Sequence, residues 1–318
     1  MNGKMVTRII GITCSVAAGL AIHQFALPAL TSTGWAVAMK ATGRGELCSW
    51  PNTLRFTSAL NEFEKLYKEA KSGLAVKDYD ARLNLERVKA PGYREFWLQR
   101  TRNVEIRGFG WLLAEHRWME QSNPDDHVRP GDIVLDCGAH VGVFTQVALS
   151  RGAAKVVAIE PDPANIECLR RNFPGEIAAG RVVLAQVGVW SSEGSMKLYL
   201  GEGGNTGVNS MWSKESGNSI EVPVTTIDRL AAKLELPRVH FIKMDIEGAE
   251  REALKGALAT LRAHRPRLML DLNHRPDDST VLPAIIRQAH AGYVSSSGPC
   301  QPNEHTGNEL IPHVTYFR

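Results

Sequence analysis

The sequence predicts an α/β fold: a Rossmann-like, seven-stranded and mostly parallel sheet with helices on both faces, preceded by an N-terminal helical cap. Two stretches carry this prediction. From 132 to 145 the residues are D-I-V-L-D-C-G-A-H-V-G-V-F-T, and from 239 to 250 they are V-H-F-I-K-M-D-I-E-G-A-E. In both, an apolar run typical of a buried parallel strand leads into a glycine-containing turn and then into the start of a helix. This alternation is typical of right-handed crossover units.

The remaining elements follow from hydrophobic periodicity and from helix-end signals. Residues 55–70 place apolar side chains on one helical face, which predicts a cap helix, and a short strand pair is expected between the cap and the sheet. Gly152 ends the helix after the first glycine turn, and Asp162 with Pro163 begins the next helix. Further strands are predicted at 156–159, 181–187, 195–200, 220–224, 239–244, 267–272, 293–296 and 313–317, and further helices at 225–236 and 278–289.

The first glycine turn indicates the kind of ligand. Gly138 and Gly142 allow the backbone to approach a ligand closely, and Asp136 places a carboxylate at the end of the preceding strand. The dinucleotide fingerprint G-x-G-x-x-G lacks its third glycine here, which disfavours NAD. A carboxylate suits a ligand that carries an ammonium group, and Glu160 has about the spacing at which an acid meets ribose hydroxyls. S-adenosyl-L-methionine is therefore the predicted cofactor, and Gln186 is expected beside its adenine.

Polar residues also follow the fourth and fifth predicted strands. Asp245 and Glu247 come after the fourth, and Asp271, Asn273 and His274 come at the end of the fifth. Because the carboxyl ends of parallel strands meet at one edge of a sheet, we expect these side chains near the cofactor. Three interpretations stay open. His274 or Asp245 accepts a proton from an acceptor hydroxyl; Asp245, Asp271 and Asn273 hold a Mg²⁺ ion; or the side chains only cap loops and helix ends. Proton transfer without a metal is the preferred hypothesis.

Composition is that of an ordinary globular protein. The chain has 318 residues, of which 43% are apolar and 22% charged, and its net charge of +3 is too small to indicate nucleic-acid binding. The five cysteines are scattered and never have C-x-x-C spacing. We therefore predict neither a disulfide framework nor a zinc site. We also expect the protein to reside in a reducing compartment.

The N-terminus carries an apolar stretch from 9 to 30, close in length to a bilayer span. Residues 36–38 also have the A-x-A form of a signal-peptidase site. Because the expected cofactor is cytosolic, we expect a cytoplasmic protein, either free or tethered to the cytoplasmic face of a membrane. An apolar helix packed on the protein's own cap is the alternative. We divide the chain into this apolar segment (1–40), a helical cap region (41–125) and a catalytic domain (126–318).

The region from 131 to 317 resembles the FkbM-type methyltransferases, which are S-adenosylmethionine-dependent O-methyltransferases with the class I methyltransferase fold. The motifs that carry the resemblance are V-L-D-C-G-A-H-V-G-V-F-T, A-I-E-P-D-P, V-T-T-I-D-R-L and F-I-K-M-D-I-E-G-A-E-R-E-A-L-K-G-A. His140 departs from the family, because it stands in the cofactor loop where asparagine is usual. The resemblance implies that the cofactor is bound by Asp136, Gly138, Gly142 and Glu160. It also implies that Asp245 and Glu247 border the reaction site.

The resulting hypothesis is a methyltransferase that moves a methyl group from S-adenosylmethionine to a hydroxyl of a glycan, lipid or small-molecule acceptor. Asp245, Glu247 and His274 are its predicted catalytic residues, and His140 joins the predicted cofactor set. Two alternatives stay open: a membrane-tethered, non-catalytic nucleotide-binding or scaffold protein, and an NAD-dependent oxidoreductase. The resemblance does not identify the acceptor, because family members act on macrolides, sugars and other molecules.

Overall fold

The computed structural model describes residues 29–100, 105–201, 209–212, 218–303 and 305–318. The first 28 residues, which hold most of the apolar stretch, lie outside this part of the chain. In the described ranges, no helix is both long and apolar enough to cross a membrane. The expected membrane tether therefore stays a prediction.

The cap consists of helices and a three-stranded antiparallel sheet of order β1-β2-β3, where the sequence predicted a strand pair. Its elements are α1 (Ala29–Ala41), α2 (Trp50–Leu54), α3 (Phe56–Ser72), β1 (Ala75–Asp80), β2 (Leu85–Lys89), β3 (Phe96–Gln99) and α4 (Glu105–Ser122). Helix α3 confirms the predicted cap helix. Its Phe63 and Leu66 pack against Ala114 and Trp118 of α4, so the two long helices bury their apolar faces against each other.

Helix α1 continues across the expected segment boundary at residue 40. Its Ala36 is fully buried in a cluster with Phe56, Cys300 and Leu310. The Thr33 hydroxyl also hydrogen-bonds to another hydroxyl, that of Thr57 in α3, at 2.7 Å. Residues 32–40 are therefore packed into the cap. The apolar stretch 9–30 lies almost wholly outside the described residues, so its packing on the cap stays a prediction.

A disulfide joins Cys48 to Cys300, which are 252 positions apart in the sequence and whose Cα atoms are 6.1 Å apart. The expectation that the cysteines form no disulfide was wrong. Sequence spacing cannot reveal such a pair, because the fold alone brings these two residues together. Cys137 and Cys168 are free and buried.

A seven-stranded sheet forms the centre of the described chain, with the order β12-β15-β11-β10-β4-β5-β6. Its strands are β4 (Ile133–Cys137), β5 (Lys155–Ile159), β6 (Val182–Ala185), β10 (Phe241–Met244), β11 (Arg267–Leu270), β12 (Ser295–Ser297) and β15 (Thr315–Phe317). Neighbouring strands from β11 to β6 are parallel, and β15 is antiparallel to both β11 and β12. This is the class I methyltransferase fold that the sequence predicted.

Helices cover both faces of this sheet. One face packs under α8 to α11, with Leu230, Leu254 and Ile286 in the same apolar cluster as Leu135 and Ile242 of the strands. The other face packs under α4, α5 and α6. The helices are α5 (Val143–Ser150), α6 (Pro163–Asn172), α7 (Pro174–Ala178), α8 (Ile227–Lys233), α9 (Glu250–Lys255), α10 (Leu258–His264) and α11 (Asp278–Ala289).

Two smaller strand groups flank the central sheet. The strands predicted at 195–200 and 220–224 lie outside the central sheet and form a sheet of order β7-β9-β8. A further hairpin, β13 with β14, carries Cys300 and therefore the covalent link to the cap. The ranges are β7 (Gly188–Val189), β8 (Gly194–Tyr199), β9 (Ser219–Thr225), β13 (Cys300–Pro302) and β14 (Leu310–Pro312).

We expect the disulfide to stabilise the fold, because it limits the freedom of the unfolded chain across a very long loop. Cys48→Ser should lower the free energy of unfolding by about 2–4 kcal/mol. The measurement is urea unfolding of wild type and variant, each with and without a thiol reductant. Reductant should lower the wild-type midpoint and leave that of Cys48→Ser unchanged. Cys168→Ala, at a free buried thiol, should keep the reductant sensitivity. A wild-type midpoint that does not respond to reductant would contradict the assigned disulfide.

Candidate active site

A cavity of about 360 Å³ lies at the carboxyl ends of β4, β5, β10 and β11. Helix α4 supplies one wall through Phe109, Trp111, Leu112, Glu115 and His116. The opposite walls combine the first glycine turn with the polar residues after β10 and β11. The predicted site residues that line the cavity are Gly138, His140, Glu160, Asp245, Glu247 and His274, and Asp271 joins them.

Glu160 is held rigidly at the end of β5. One carboxylate oxygen accepts a hydrogen bond from the backbone amide of His140 at 2.8 Å, and the other accepts one from the amide of Asp162 at 3.0 Å. The side chain is only 5% exposed. Burial raises the pKa of Glu160 to about 7, although these hydrogen bonds favour its ionised form. This carboxyl is therefore a fixed acceptor whose charge changes near neutral pH.

Gly138 has a φ of +77°, and a Cβ there would lie 2.1 Å from the backbone oxygen of Asp245. The glycine is therefore required by the close approach of the turns after β4 and β10, and not only by a ligand. His140, also at positive φ, is partly buried, and this burial lowers its pKa to about 4, with Lys243 adding to the effect. Its imidazole is neutral at physiological pH.

Three predicted cofactor residues do not line the cavity. Asp136 is fully buried behind the turn, where its carboxylate accepts a hydrogen bond from the Thr145 hydroxyl at 2.7 Å. Gly142 begins α5 at φ +95°, and a Cβ there would lie 2.3 Å from the ring of Phe173, so packing explains this glycine. Gln186 points into solvent, because the hydrogen bond from the amide of Val187 to the oxygen of Ala185 closes a tight turn around it. These three residues therefore do not line the cavity, and their contact with a cofactor stays a prediction.

His274 lies at the centre of the second group. Its Nδ1 is 2.9 Å from Glu250 Oε1, and its Nε2 is 3.6 Å from one oxygen each of Asp245 and Glu247. The side chain is 16% exposed. The structure thus brings all three predicted catalytic residues together and adds Glu250, which also accepts a hydrogen bond from the amide of Ile246.

The acids around His274 determine its protonation. Burial alone would lower the pKa of His274, but Glu250 and then Asp271 hold it well above its usual value. Burial opposes ionisation of Asp245, but Lys243 and then His274 hold the pKa of its carboxyl below the usual range. Burial raises the pKa of Glu247, and the negative charge of Asp245 adds to this. At neutral pH, Asp245 is therefore ionised and His274 already carries its proton.

A metal-binding arrangement is also present. Asp245, Asp271 and His274 each offer a ligand atom, and these atoms lie within 4.8 Å of one another. The sequence had suggested Asn273 as the third ligand with the same two acids. The magnesium interpretation therefore stays open for experiment, with histidine in the set.

Several cavity residues had no predicted role. Lys243 is a lysine within the otherwise apolar run of β10, and this was a signal in the sequence. Glu115 and His116 come from the cap, where no motif marked them. His313 Nε2 lies 2.8 Å from Glu115 Oε1, which links α4 to the end of the chain. Burial, with a smaller effect of Lys243, lowers the pKa of His116 to about 3, so its ring is neutral.

The short segment 209–212 crosses between the two halves of the cavity. Asn209 donates a hydrogen bond to Asp162 at 2.9 Å, and the Ser210 hydroxyl donates one to the backbone oxygen of Glu247 at 2.6 Å. Trp212 stacks on the Arg275 guanidinium, 3.4 Å from the ring centroid. These contacts connect the turn after β5 with the turn after β10.

Comparison with known proteins decides the family. Residues 136–295, half of the chain, match the model of the methyltransferase FkbM domain. The chain belongs to the FkbM methyltransferase family. The matched range includes the first glycine turn and the residues after β10 and β11 that line the cavity, and the comparisons support neither the oxidoreductase nor the scaffold alternative.

Two curated relatives show how the family varies. The hexuronic acid methyltransferase AglP of Haloferax volcanii is 28% identical over 132 residues, 42% of this chain and 52% of AglP. The 31-O-demethyl-FK506 methyltransferase FkbM of Streptomyces tacrolimicus is 29% identical over 157 residues, 41% of this chain and 60% of that protein. The chain thus spans just over half the length of these relatives. A crystal structure of an FkbM methyltransferase from Methylobacillus flagellatus has a TM-score of 0.42 at 17% identity, and it covers 83% of this chain and 60% of its own.

The packing role of Gly142 can be tested by stability without any ligand. Gly142→Ala should lower the free energy of unfolding by about 2–4 kcal/mol, because the new methyl group meets Phe173 and the positive φ is unfavourable for alanine. Gly175→Ala is the matched control, since a Cβ there has nothing within 4 Å, and its effect should stay within about 1 kcal/mol. Urea unfolding measures both. Equal stability of the two variants would show that Gly142 is not required for packing.

Proposed function

We propose that this FkbM-family protein is an S-adenosylmethionine-dependent O-methyltransferase that acts on a hydroxyl group of a glycan or small-molecule acceptor. The observation that carries the proposal is that one cavity is lined both by Glu160 and Gly138 and by Asp245, Glu247 and His274. A methyltransferase needs its cofactor and its acceptor in one enclosed space, because methyl transfer depends above all on alignment.

The residues present fit the cofactor. The cavity volume lies in the range of small-molecule sites. Glu160 is a buried, rigid carboxylate that ribose hydroxyls can donate to, and Gly138 and His140 provide the turn beside it. Val187 and Gly188, which line the cavity, replace Gln186 as the expected neighbours of the adenine. When bound, S-adenosylmethionine supplies an electrophilic methyl group on a sulfonium sulfur.

Asp245 is the group that we assign as proton acceptor. Its carboxylate is ionised at neutral pH, and it lines the cavity on the side opposite Glu160. As the acceptor oxygen gains the methyl group, its O–H bond breaks and the proton moves to the Asp245 carboxylate. The cationic His274 ring lies 3.6 Å from that carboxylate and orients it. Glu247, whose pKa is raised by burial, holds a proton and can donate a hydrogen bond.

The relatives suggest which acceptors to test first. One is named for hexuronic acid and the other for a demethylated form of FK506. Wild-type protein should be incubated with methyl-labelled S-adenosylmethionine and either p-nitrophenyl glucuronide or hydroxyl-bearing macrolides. Mass spectrometry detects the labelled product, and mild alkali then separates two products, because it cleaves a methyl ester and leaves a methyl ether intact. An alkali-stable product is expected. Label that alkali releases, or no transfer at all, would contradict O-methylation of a hydroxyl.

Removal of the Asp245 carboxylate should slow the reaction without preventing cofactor binding. Asp245→Asn is expected to lower kcat about 100-fold, the typical contribution of a general base. Glu252→Gln, at a partly exposed acid near the start of α9 that pairs with Lys255, is the matched control and should keep wild-type activity. EDTA should leave the wild-type rate unchanged. Loss of activity in EDTA that Mg²⁺ restores would favour the metal interpretation over proton transfer to Asp245.

Cofactor affinity should depend on pH through Glu160. The pKa of Glu160 in the free protein is about 7, and only the ionised carboxylate accepts hydrogen bonds from both ribose hydroxyls. The dissociation constant of S-adenosylhomocysteine should therefore rise as pH falls below 7, by up to about tenfold per pH unit, and level off above 8. Calorimetric titration between pH 5.5 and 8.5 measures it. Glu160→Gln should bind more weakly at pH 8 and show no such slope. An identical slope in the variant would exclude Glu160 as the group responsible.

A further inference from the structure

A lysine is buried inside the central sheet. Lys243 lies on β10, the middle strand in the sheet order, and its side chain is 6% exposed. Moving an ammonium group out of water is costly unless it is paired and hydrogen-bonded. The position is opposite Asp136 in the parallel register of β10 and β4. The placement of this charge therefore requires a compensating arrangement, and the contacts of the ammonium group show what it is.

The ammonium group of Lys243 connects the two turns that form the cavity. It donates a hydrogen bond to the backbone oxygen of Gly138 at 2.9 Å. It also lies 3.8 Å from Asp136 Oδ1 and 3.7 Å from Asp245 Oδ2. Asp136 Oδ1 is buried and has no hydrogen-bond partner in the described chain, so attraction to Lys243 is what compensates it. One cation thus contacts the end of β4, the glycine turn and the acid after β10.

Among the charged groups around Asp245, Lys243 favours the ionised form of its carboxyl most strongly. After burial, which raises the pKa of Asp245, the largest effect comes from Lys243, whose positive charge lowers this pKa. Three histidines on other elements lower it by smaller amounts. Burial alone would lower the pKa of Lys243, but Asp245 and Asp136 keep it above the usual value, so the ammonium group stays charged. The charged and titratable groups that face Asp245 are Lys243, His274, His116 and His313, with the acids Asp136, Glu247 and Asp271.

We propose that Lys243 is a positioning residue for methyl transfer, whose buried ammonium group holds the Asp245 carboxylate and the Gly138 turn in one fixed arrangement. The proposal rests on the proposed function, because Lys243 acts through Asp245. Since proton transfer and methyl transfer share one acceptor oxygen, the acid and the cofactor turn must keep a constant relative position. The Nζ atom of Lys243 fixes this relative position, because it donates a hydrogen bond to Gly138 and also lies beside the Asp245 carboxylate.

A purely structural role is the competing explanation, and the sheet offers a matched control. Arg267 and Asp132 form another ion pair in this sheet, across the intervening strand β10, with side chains 13% and 7% exposed. They lie where β11 and β4 begin, at the edge opposite the cavity. Arg267→Met removes a cation of similar burial, so its loss of stability is comparable to that of Lys243→Met. It should leave kcat unchanged.

The test is a double-mutant cycle measured on the acceptor that the wild-type protein methylates in the labelling panel. In the wild-type background, Lys243→Met should lower kcat at least 30-fold. In the Asp245→Asn background, the same substitution should lower kcat less than threefold, because the carboxylate through which it acts is gone. The dissociation constant of S-adenosylhomocysteine should change less than threefold in Lys243→Met. Lys243→Arg supplies the same cycle should the methionine variant not fold.

Each other outcome overturns the proposal. Losses of kcat that multiply in the double variant would show that Lys243 acts independently of Asp245. A loss of S-adenosylhomocysteine affinity above tenfold would assign Lys243 to direct cofactor binding instead. A similar loss of kcat in Arg267→Met would show that the loss in Lys243→Met results from lower stability of the fold and not from the position of Asp245. Failure of the proposed function has a different signature, since wild-type protein would then transfer no label before any variant is compared.

Discussion

The close approach of two neighbouring turns is the constraint on which the site depends. Strands β4 and β10 are adjacent and parallel, and their carboxyl ends bring Gly138 so near Asp245 that no side chain fits between them. Every functional assignment follows from this contact. In the proposed function, the glycine turn borders the cofactor side of the cavity, and the acid after β10 borders the acceptor side. A wider separation would leave two half-sites, because neither turn encloses a substrate alone. Lys243, which contacts both turns from below, is placed where it can preserve that separation.

Charge in the cavity is arranged as pairs and not as isolated groups. His274 is cationic because acids surround it, and Asp245 is ionised because His274 and Lys243 offset its burial. Removal of one member therefore changes the protonation of the others, and this is why double-mutant comparisons are more informative here than single substitutions. The neutral rings of His116 and His140 complete the lining without adding charge. The cavity therefore contains several side chains that can exchange protons, and the backbone and the cap hold them in fixed positions.

Much of the fold could be predicted from the sequence, because buried parallel strands and their turns leave strong local patterns. The strand ends located Glu160, Asp245 and His274 correctly at one edge of the sheet. Local patterns could not show that Asp136 turns behind the glycine loop or that Gln186 points into solvent, since both depend on the path of the next few residues. The Cys48–Cys300 bond and the contribution of α4 depend on contacts between distant parts of the chain, so no spacing rule could reveal them. Lys243 was visible, as a charge inside an apolar run, but its role needed the neighbouring strand.

In the proposed function, one cavity holds the cofactor at the first glycine turn and places the reacting methyl group toward Asp245. A crystal structure of the protein with S-adenosylhomocysteine tests this most directly. We expect electron density for the ligand in the cavity, with the ribose hydroxyls within hydrogen-bond distance of Glu160 and the sulfur on the side of Asp245 and His274. A ligand bound elsewhere, or one whose ribose lies away from Glu160, would contradict it.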